Sequence, residues 1–181
     1  KETFEILQKL HNEVNKKVTI PMPEFGVMIE TPSAALMVKE FAPLIDFISI
    51  GTNDLTQYAL AVDRRNPRVS YLYDHLHPSV LKLVYQAVKD SKEAGLKISV
   101  CGELASDPMG VPLLIGMGVD ELSVTPVVLL ETKELIRGIS KKEARELLEK
   151  ALKAKSTREV RSLSSDFLNK RFPNLVMFYP I

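Results

Sequence analysis

The residues of this chain whose types suit chemistry recur in one kind of place. Glu30 closes the run "FGVMIE", Asn53 and Asp54 follow "DFISIGT", and Cys101 and Glu103 follow "KISV". Two carboxylates at the ends of neighbouring apolar runs can share a hard cation. Mg²⁺ suits such a pair, since it commonly takes one or two carboxylates and completes its octahedron with water and substrate oxygens. A thiol at the same kind of exit can give or take a proton, which a thiol sealed in a core does not do. Arg64 and Arg65 in "AVDRRNP" carry planar donor forks suited to phosphate or carboxylate, and the residue pattern alone does not choose between them.

Each of these residues has a plainer structural reading. Asp54 reads as a helix cap, Glu30 as a first-turn charge on a helix dipole, Cys101 as a small core hydrophobe, and the arginines as exposed loop charges. Two acids at adjacent strand ends favour the metal. His75 falls in a loop and His77 precedes Pro78 at a helix start; both read as structural, and no zinc spacing joins them to the acids.

The elements that must position these groups follow from periodicity. Phe4, Leu7, Leu10 and Val14 predict a helix over about residues 2 to 16. Phe25 to Glu30 is an unbroken apolar run, as expected of a strand buried on both faces. A helix is predicted from Thr31-Pro32 through "SAALMVKEFA". Asp46 to Gly51, Lys97 to Gly102 and Asp120 to Thr125 read as further strands, followed by helical sequence from Asp54, from about Asp107 with Pro108 near its start, and after Thr125. The insertion "AVDRRNPRVSYLYDHLHP" leads into a helix that Gly95 ends, and Gly116 with Gly118 reads as a helix-to-strand turn. From about Ser140 two charged helices with a break near 155 to 157 read as a covering layer, ahead of the apolar "RFPNLVMFYPI". Strands alternating with helices predict an α/β fold with a parallel sheet, and such folds gather their functional groups where strands end and helices begin.

Composition excludes several classes of function. Lys and Arg number 24 against 23 Asp and Glu, a formal charge of +1, so there is no footprint for nucleic acid or an anionic membrane. No apolar stretch approaches the roughly 20 residues that span a bilayer, and the charged, amphipathic N-terminus is unlike a secretory signal. The chain reads as soluble and cytoplasmic, with no membrane insertion. The lone Cys101 excludes an internal disulfide and fits a reducing compartment. A start at Lys1 rather than Met reads as a piece of something longer.

With these residues laid out, "GVMIETPSAAL", "DFISIGTNDLTQYALAVDRRNPRV", "HPSVLKLV" and "VCGELASDPMGVPLLIGMGVDELSV" resemble the C-terminal phosphoenolpyruvate-binding barrel of the phosphoenolpyruvate-utilising enzymes. "GTNDLTQYALAVDR" and "CGELASDP" are closer to the enzyme I branch, of the phosphoenolpyruvate:sugar phosphotransferase system, than to pyruvate phosphate dikinase or phosphoenolpyruvate synthase. The resemblance implies the second half of a (β/α)8, TIM-type barrel over residues 1–139, followed by C-terminal helices and the apolar tail over 140–181. It also implies that Glu30 and Asp54 ligate Mg²⁺, that Asn53 with the Asp54 backbone contacts phosphoenolpyruvate, that Arg64 holds its phosphate, and that Cys101 protonates the enolate carbon. The implied partners are a histidine on a separate N-terminal domain, the phosphocarrier HPr, and a second copy in a homodimer.

The chain departs from that pattern in lacking the first half-barrel and the histidine domain, and in reading "SVTP" where relatives carry Ser-Met-Ser-Ala. A stand-alone, non-catalytic half-barrel is the alternative from another class. A different metal-dependent barrel enzyme acting on pyruvate enolates is disfavoured by "GTNDLTQY" together with "CGE". Four strand-helix units cannot close an eight-stranded barrel, so unpaired edges and exposed apolar interior residues are expected, leaving the isolated piece inactive and self-associating.

Overall fold

A computed structural model of the chain describes residues 1–173; the apolar stretch "NLVMFYPI" lies outside the described residues. At its centre is a four-stranded parallel sheet in sequential order: β1 (Gly26–Ile29), β2 (Phe47–Gly51), β3 (Lys97–Cys101) and β4 (Glu121–Ser123). Helices α2 (Pro32–Leu36) and α3 (Val38–Phe41) connect β1 to β2, and α4 (Thr52–Leu60) and α5 (Pro78–Glu93) connect β2 to β3. After β3 come α6 (Glu103–Ser106) and α7 (Val111–Met117); after β4 come α8 (Leu129–Gly138), α9 (Lys141–Ala151) and α10 (Thr157–Arg171). Ahead of the sheet, α1 (Glu2–Asn15) buries no residue and touches the body through a Phe4–Phe25 ring contact at 5.6 Å. Among the described residues no helix is long and apolar enough to cross a membrane.

The register sorts the strand residues into two faces. Ile29, Ile50, Val100 and Leu122 form one row and Val27, Ile48 and Ile98 another, all on the face that the helices cover. Ile29, Ile48, Ile50, Ile98 and Val100 are at most 1% exposed, packed with Leu55 of α4, Leu81 and Val84 of α5 and Leu113 and Leu114 of α7. The opposite face presents Met28, Ser49, Ser99 and Glu121 in one row and Gly51, Cys101 and Ser123 in the next. Met28 is 52% exposed. β1 is therefore not buried on both faces, as its unbroken apolar run predicts. The open face is mixed rather than a continuous apolar interior: beside Met28 and the Gly26–Phe47–Lys97 row it carries Ser49, Ser99, Ser123, Cys101 and Glu121.

Each edge-forming strand pair is fastened at its N-terminal end by the same device. Asp46, just before β2, donates its N–H to Phe25 O at 2.8 Å while its carboxylate accepts the Phe25 N–H at 2.7 Å. Asp120, just before β4, does the same to Ile98, at 3.0 Å in both directions.

Two predicted helices differ in the structure. The one after Thr31 divides at Met37, whose backbone leaves the helical region, and a short 3-10 turn follows at Ala42–Leu44. The one expected from Asp107 is preceded by α6, and Asp107 itself is extended at φ −81°, ψ 121°. The residue before a proline is pushed out of the helical region, so Pro108 separates α6 from α7. α4 begins at Thr52, two residues ahead of the expected Asp54.

The C-terminal helices share the main core. Leu147, Leu148 and Ala151 of α9 and Val160 of α10 belong to the cluster behind the sheet. Gly116 is a packing residue rather than part of a turn: a Cβ there would strike the Ala144 carbonyl of α9, while Gly118, at φ +81°, ends α7.

Candidate functional site at the C-terminal strand ends

β2 passes into α4 with no intervening loop, because Gly51 is itself the N-cap residue of the helix. This places Thr52, Asn53 and Asp54 in the first helical turn, beside the exit of β3. Thr52, fully buried, donates its hydroxyl to Cys101 O at 2.7 Å, and Asn53 Oδ1 accepts the Glu103 N–H at 2.8 Å. The two side chains bracket Gly102. Its φ of +94° and the closeness of Thr52 Oγ1 and Asn53 Oδ1, 2.5 and 2.7 Å from where a Cβ would sit, make glycine the residue that fits. The exit of β3 is thereby fixed against the start of α4.

The carboxylates of Glu30 and Asp54 cap neither helix, although Asp54 lies in the first turn of α4, where its charge favours the helix dipole. The helix after β1 is capped by Thr31, whose hydroxyl accepts the Ala34 N–H at 3.2 Å, and α4 has no side-chain cap. Neither carboxylate has a hydrogen bond or ion pair among the described residues. Glu30 lies over Gly51, its Oε2 3.1 Å from where a Cβ would be, so any larger residue at 51 would press on it. No three His, Cys, Asp or Glu side chains are clustered for a metal among the described residues. A pair of free carboxylates at adjacent strand ends nevertheless fits Mg²⁺, which needs few protein ligands.

Cys101 is half-buried at the end of β3 on the open face, its Sγ 3.6 Å from Ile50 O and 3.9 Å from Ser49 Oγ. Of the two arginines, Arg64 turns inward: its side chain is 28% exposed, its N–H donates to Gln57 Oε1 at 3.3 Å and its Nη1 lies 4.0 Å from Glu103 Oε1. Arg65 is exposed, with its N–H on Asp63 Oδ1 at 2.8 Å.

The loop that carries Arg64 brings Tyr73, which the sequence did not single out, and His75, which it read as structural. Tyr73 donates its hydroxyl to Asn53 O at 3.2 Å. Burial pushes its phenol up to about 12, helped by the Glu103 charge and, less, by Asp54; the Arg64 guanidinium and the Thr56 hydroxyl pull the other way. The phenol is therefore a fixed donor at neutral pH. His75 Nε2 donates to Asp107 Oδ2 at 2.7 Å and its Nδ1 stands 3.8 Å from Glu103 Oε2. Asp74 is held from outside by Arg161 of α10, with Nε and Nη2 at 2.9 and 2.8 Å, which ties the C-terminal helices to the loop. His77 acts as the structural reading expects, accepting the Ser79 N–H at the start of α5. Tyr73 meets Asn53 across 20 residues and His75 meets Asp107 across 32, separations that carry no periodic signal.

The strand ends thus gather two free carboxylates, a half-buried thiol and an inward arginine. The model of the family described as PEP-utilising enzyme, PEP-binding domain, matches residues 1–141. The chain is 40% identical over 172 residues to a Salmonella typhimurium protein named phosphoenolpyruvate-dependent phosphotransferase system, covering 94% of this chain and 23% of that protein. It is 46% identical over 145 residues to the phosphoenolpyruvate-protein phosphotransferase of Haemophilus influenzae, covering 80% and 25%. Against the protein of the same name from Buchnera aphidicola it is 45% identical over 146 residues, covering 81% and 26%. The chain spans about a quarter of the length of these curated relatives.

Proposed function

This chain belongs to the PEP-utilising enzymes, within their PEP-binding domain, and from that premise we propose that it is part of a phosphoenolpyruvate-protein phosphotransferase of the enzyme I type. Residues 1–139 form the second half of a (β/α)8 barrel, with the helices from 140 onward bracing it. The sequential parallel order of the strands, with helices on one face, supports this reading. The site binds phosphoenolpyruvate so that its phosphoryl group passes to a histidine on a separate domain, then to HPr, and pyruvate leaves. Homodimerisation through this domain and a cytoplasmic location belong to the same reading.

The observation that carries the proposal is the pair of unpartnered carboxylates, Glu30 and Asp54, at the strand ends that also hold Arg64 and Cys101. Glu30 and Asp54 would hold Mg²⁺, which supplies positive charge to the phosphate and enolate oxygens. The Arg64 fork grips the phosphate, and the Asn53 amide NH₂ with the Asp54 backbone orients the substrate; Asn53 Oδ1 is already engaged with Glu103. When the C–O–P bond breaks, its electrons stay on the substrate as an enolate and the phosphoryl group bonds to the histidine nitrogen. Cys101 then gives its S–H proton to the methylene carbon, producing pyruvate and a thiolate that solvent reprotonates.

Glu30→Gln or Asp54→Asn in the full-length protein removes one of the two protein charges on the metal. Each variant is expected to need several-fold more Mg²⁺ for phosphoryl transfer while keeping its fold. Unchanged Mg²⁺ titrations in both variants would remove the metal assignment.

A further inference from the structure

Asp107, His75 and Glu103 form a line of side chains that ends on Arg64. The separations are 2.7 Å from Asp107 Oδ2 to His75 Nε2, 3.8 Å from His75 Nδ1 to Glu103 Oε2, and 4.0 Å from Glu103 Oε1 to Arg64 Nη1. The far end is sheltered, with the His75 and Asp107 side chains 13% and 15% exposed, whereas Glu103 is 54% exposed. We propose that His75, as an imidazolium between two carboxylates, is a positioning residue: its Nε2–H is anchored by Asp107, its Nδ1–H faces and steadies the Glu103 carboxylate, and Glu103 in turn orients the Arg64 guanidinium. The inference rests on the reading of Arg64 as the group that holds the substrate phosphate.

The physical reason is that both flanks of the imidazole are held by several hydrogen bonds while the Arg64 guanidinium meets, among the described residues, only one long ion pair. Asp107 Oδ1 accepts the Met109 N–H at 2.8 Å, which fixes that carboxylate in the turn between α6 and α7. On the other flank, Asp74 next to His75 is held by Arg161 and by the Leu76 N–H at 2.9 Å. Arg64 is a long, rotatable side chain, and its only ion pair among the described residues is with Glu103. A half-exposed carboxylate orients a guanidinium only as well as it is itself held. Its backbone N–H is fixed by Asn53, and His75 is the group on its other side. A planar fork aimed in advance at a phosphate loses less rotamer entropy on binding.

The competing role is a simple tie between the 61–77 loop and the turn before α7, made through Asp107 alone. The two ring nitrogens separate the cases, since a glutamine amide reaches roughly where Nε2 sits and an asparagine amide where Nδ1 sits. In the full-length protein with saturating Mg²⁺, His75→Gln is expected to raise KM for phosphoenolpyruvate about tenfold with kcat within about twofold, and His75→Asn to return KM to within about threefold of wild type. Glu103→Gln, at an exposed side chain that folding tolerates, should match His75→Gln. A wild-type KM in His75→Gln, or equal impairment of the glutamine and asparagine variants, overturns the inference. Arg64→Lys keeps the fates of the two readings apart: if it leaves KM unchanged, the phosphate reading fails. The coupling is then decided on this chain alone, where His75→Gln and Asp107→Asn should each shift the Arg64 guanidinium ¹⁵Nε resonance. An unmoved resonance in both sinks the proposal whatever Arg64 binds.

Discussion

The two faces of the sheet are made from the same four strands yet are built to opposite ends. The helix-covered face offers Ile29, Ile48, Ile50, Ile98 and Val100, all essentially buried, and this is where burial stabilises the fold. The open face offers Met28, Ser49, Ser99, Cys101 and Ser123, side chains that sacrifice little when water or a ligand touches them. The alternation divides labour within each strand. Odd and even positions can change for different reasons, so the chemistry at Cys101 is free of the packing demands felt one residue earlier at Val100.

The largest expected effect tests this division directly. Ile50→Ala removes a fully buried side chain and should cost about 2–5 kcal/mol of stability in urea unfolding of this chain, whereas Ser49→Ala, one residue away, should stay within about 0.5 kcal/mol. Similar losses at both positions would mean that the open face is packed in solution, for instance against another copy.

Cys101→Ser sharpens the contrast from the open side. Because serine already occupies neighbouring sites on that face, the change should barely alter stability. A hydroxyl is a far weaker acid than a thiol, so in the full-length protein the entry of solvent deuterium into the pyruvate methyl group should slow by at least about tenfold, more than phosphoryl transfer does. Wild-type incorporation in Cys101→Ser would move the proton source elsewhere.

The smallest effect concerns the boundary between the faces, where Tyr73 reaches over the strand ends. Its phenol is held protonated above its ordinary value, so the folded state keeps a proton that the unfolded chain releases from about pH 10 upward. That contribution is fully present below about pH 10 and is lost as pH climbs toward about 12. Chemical denaturation across this window should therefore show stability falling more steeply in the wild-type chain than in Tyr73→Phe. Parallel curves would mean that the phenol is freely solvated.

Much of this arrangement is legible in the sequence because strands and their exits are local. "FISIG" and "KISVC" carry a serine between branched residues, which is the period of a sheet with one covered face, whereas "GVMI" hides that period behind a methionine that is apolar and yet exposed. The strand-end residues Glu30, Asn53, Asp54 and Cys101 are legible for the same reason, each being adjacent to its strand. The link from Arg64 through Glu103 and His75 to Asp107 is not, since it joins residues from separate connections through tertiary packing. The interruption at Pro108 is readable from the pre-proline rule, but the break at Met37 has no comparable signal, and nothing in the structure explains it.

The aspartate clasps at Asp46 and Asp120 carry a consequence for how the chain reaches this state. A slip of one residue between parallel strands would turn every side chain to the other side, placing serines and the thiol against the helices and isoleucines in water. Each clasp recognises the backbone of one particular partner, Phe25 or Ile98, with both an N–H and a carboxylate, so a slipped pairing leaves the acid without its mate. Fidelity of assembly is thus enforced at the end of the sheet farthest from the chemistry, by two side chains that never need to meet a substrate.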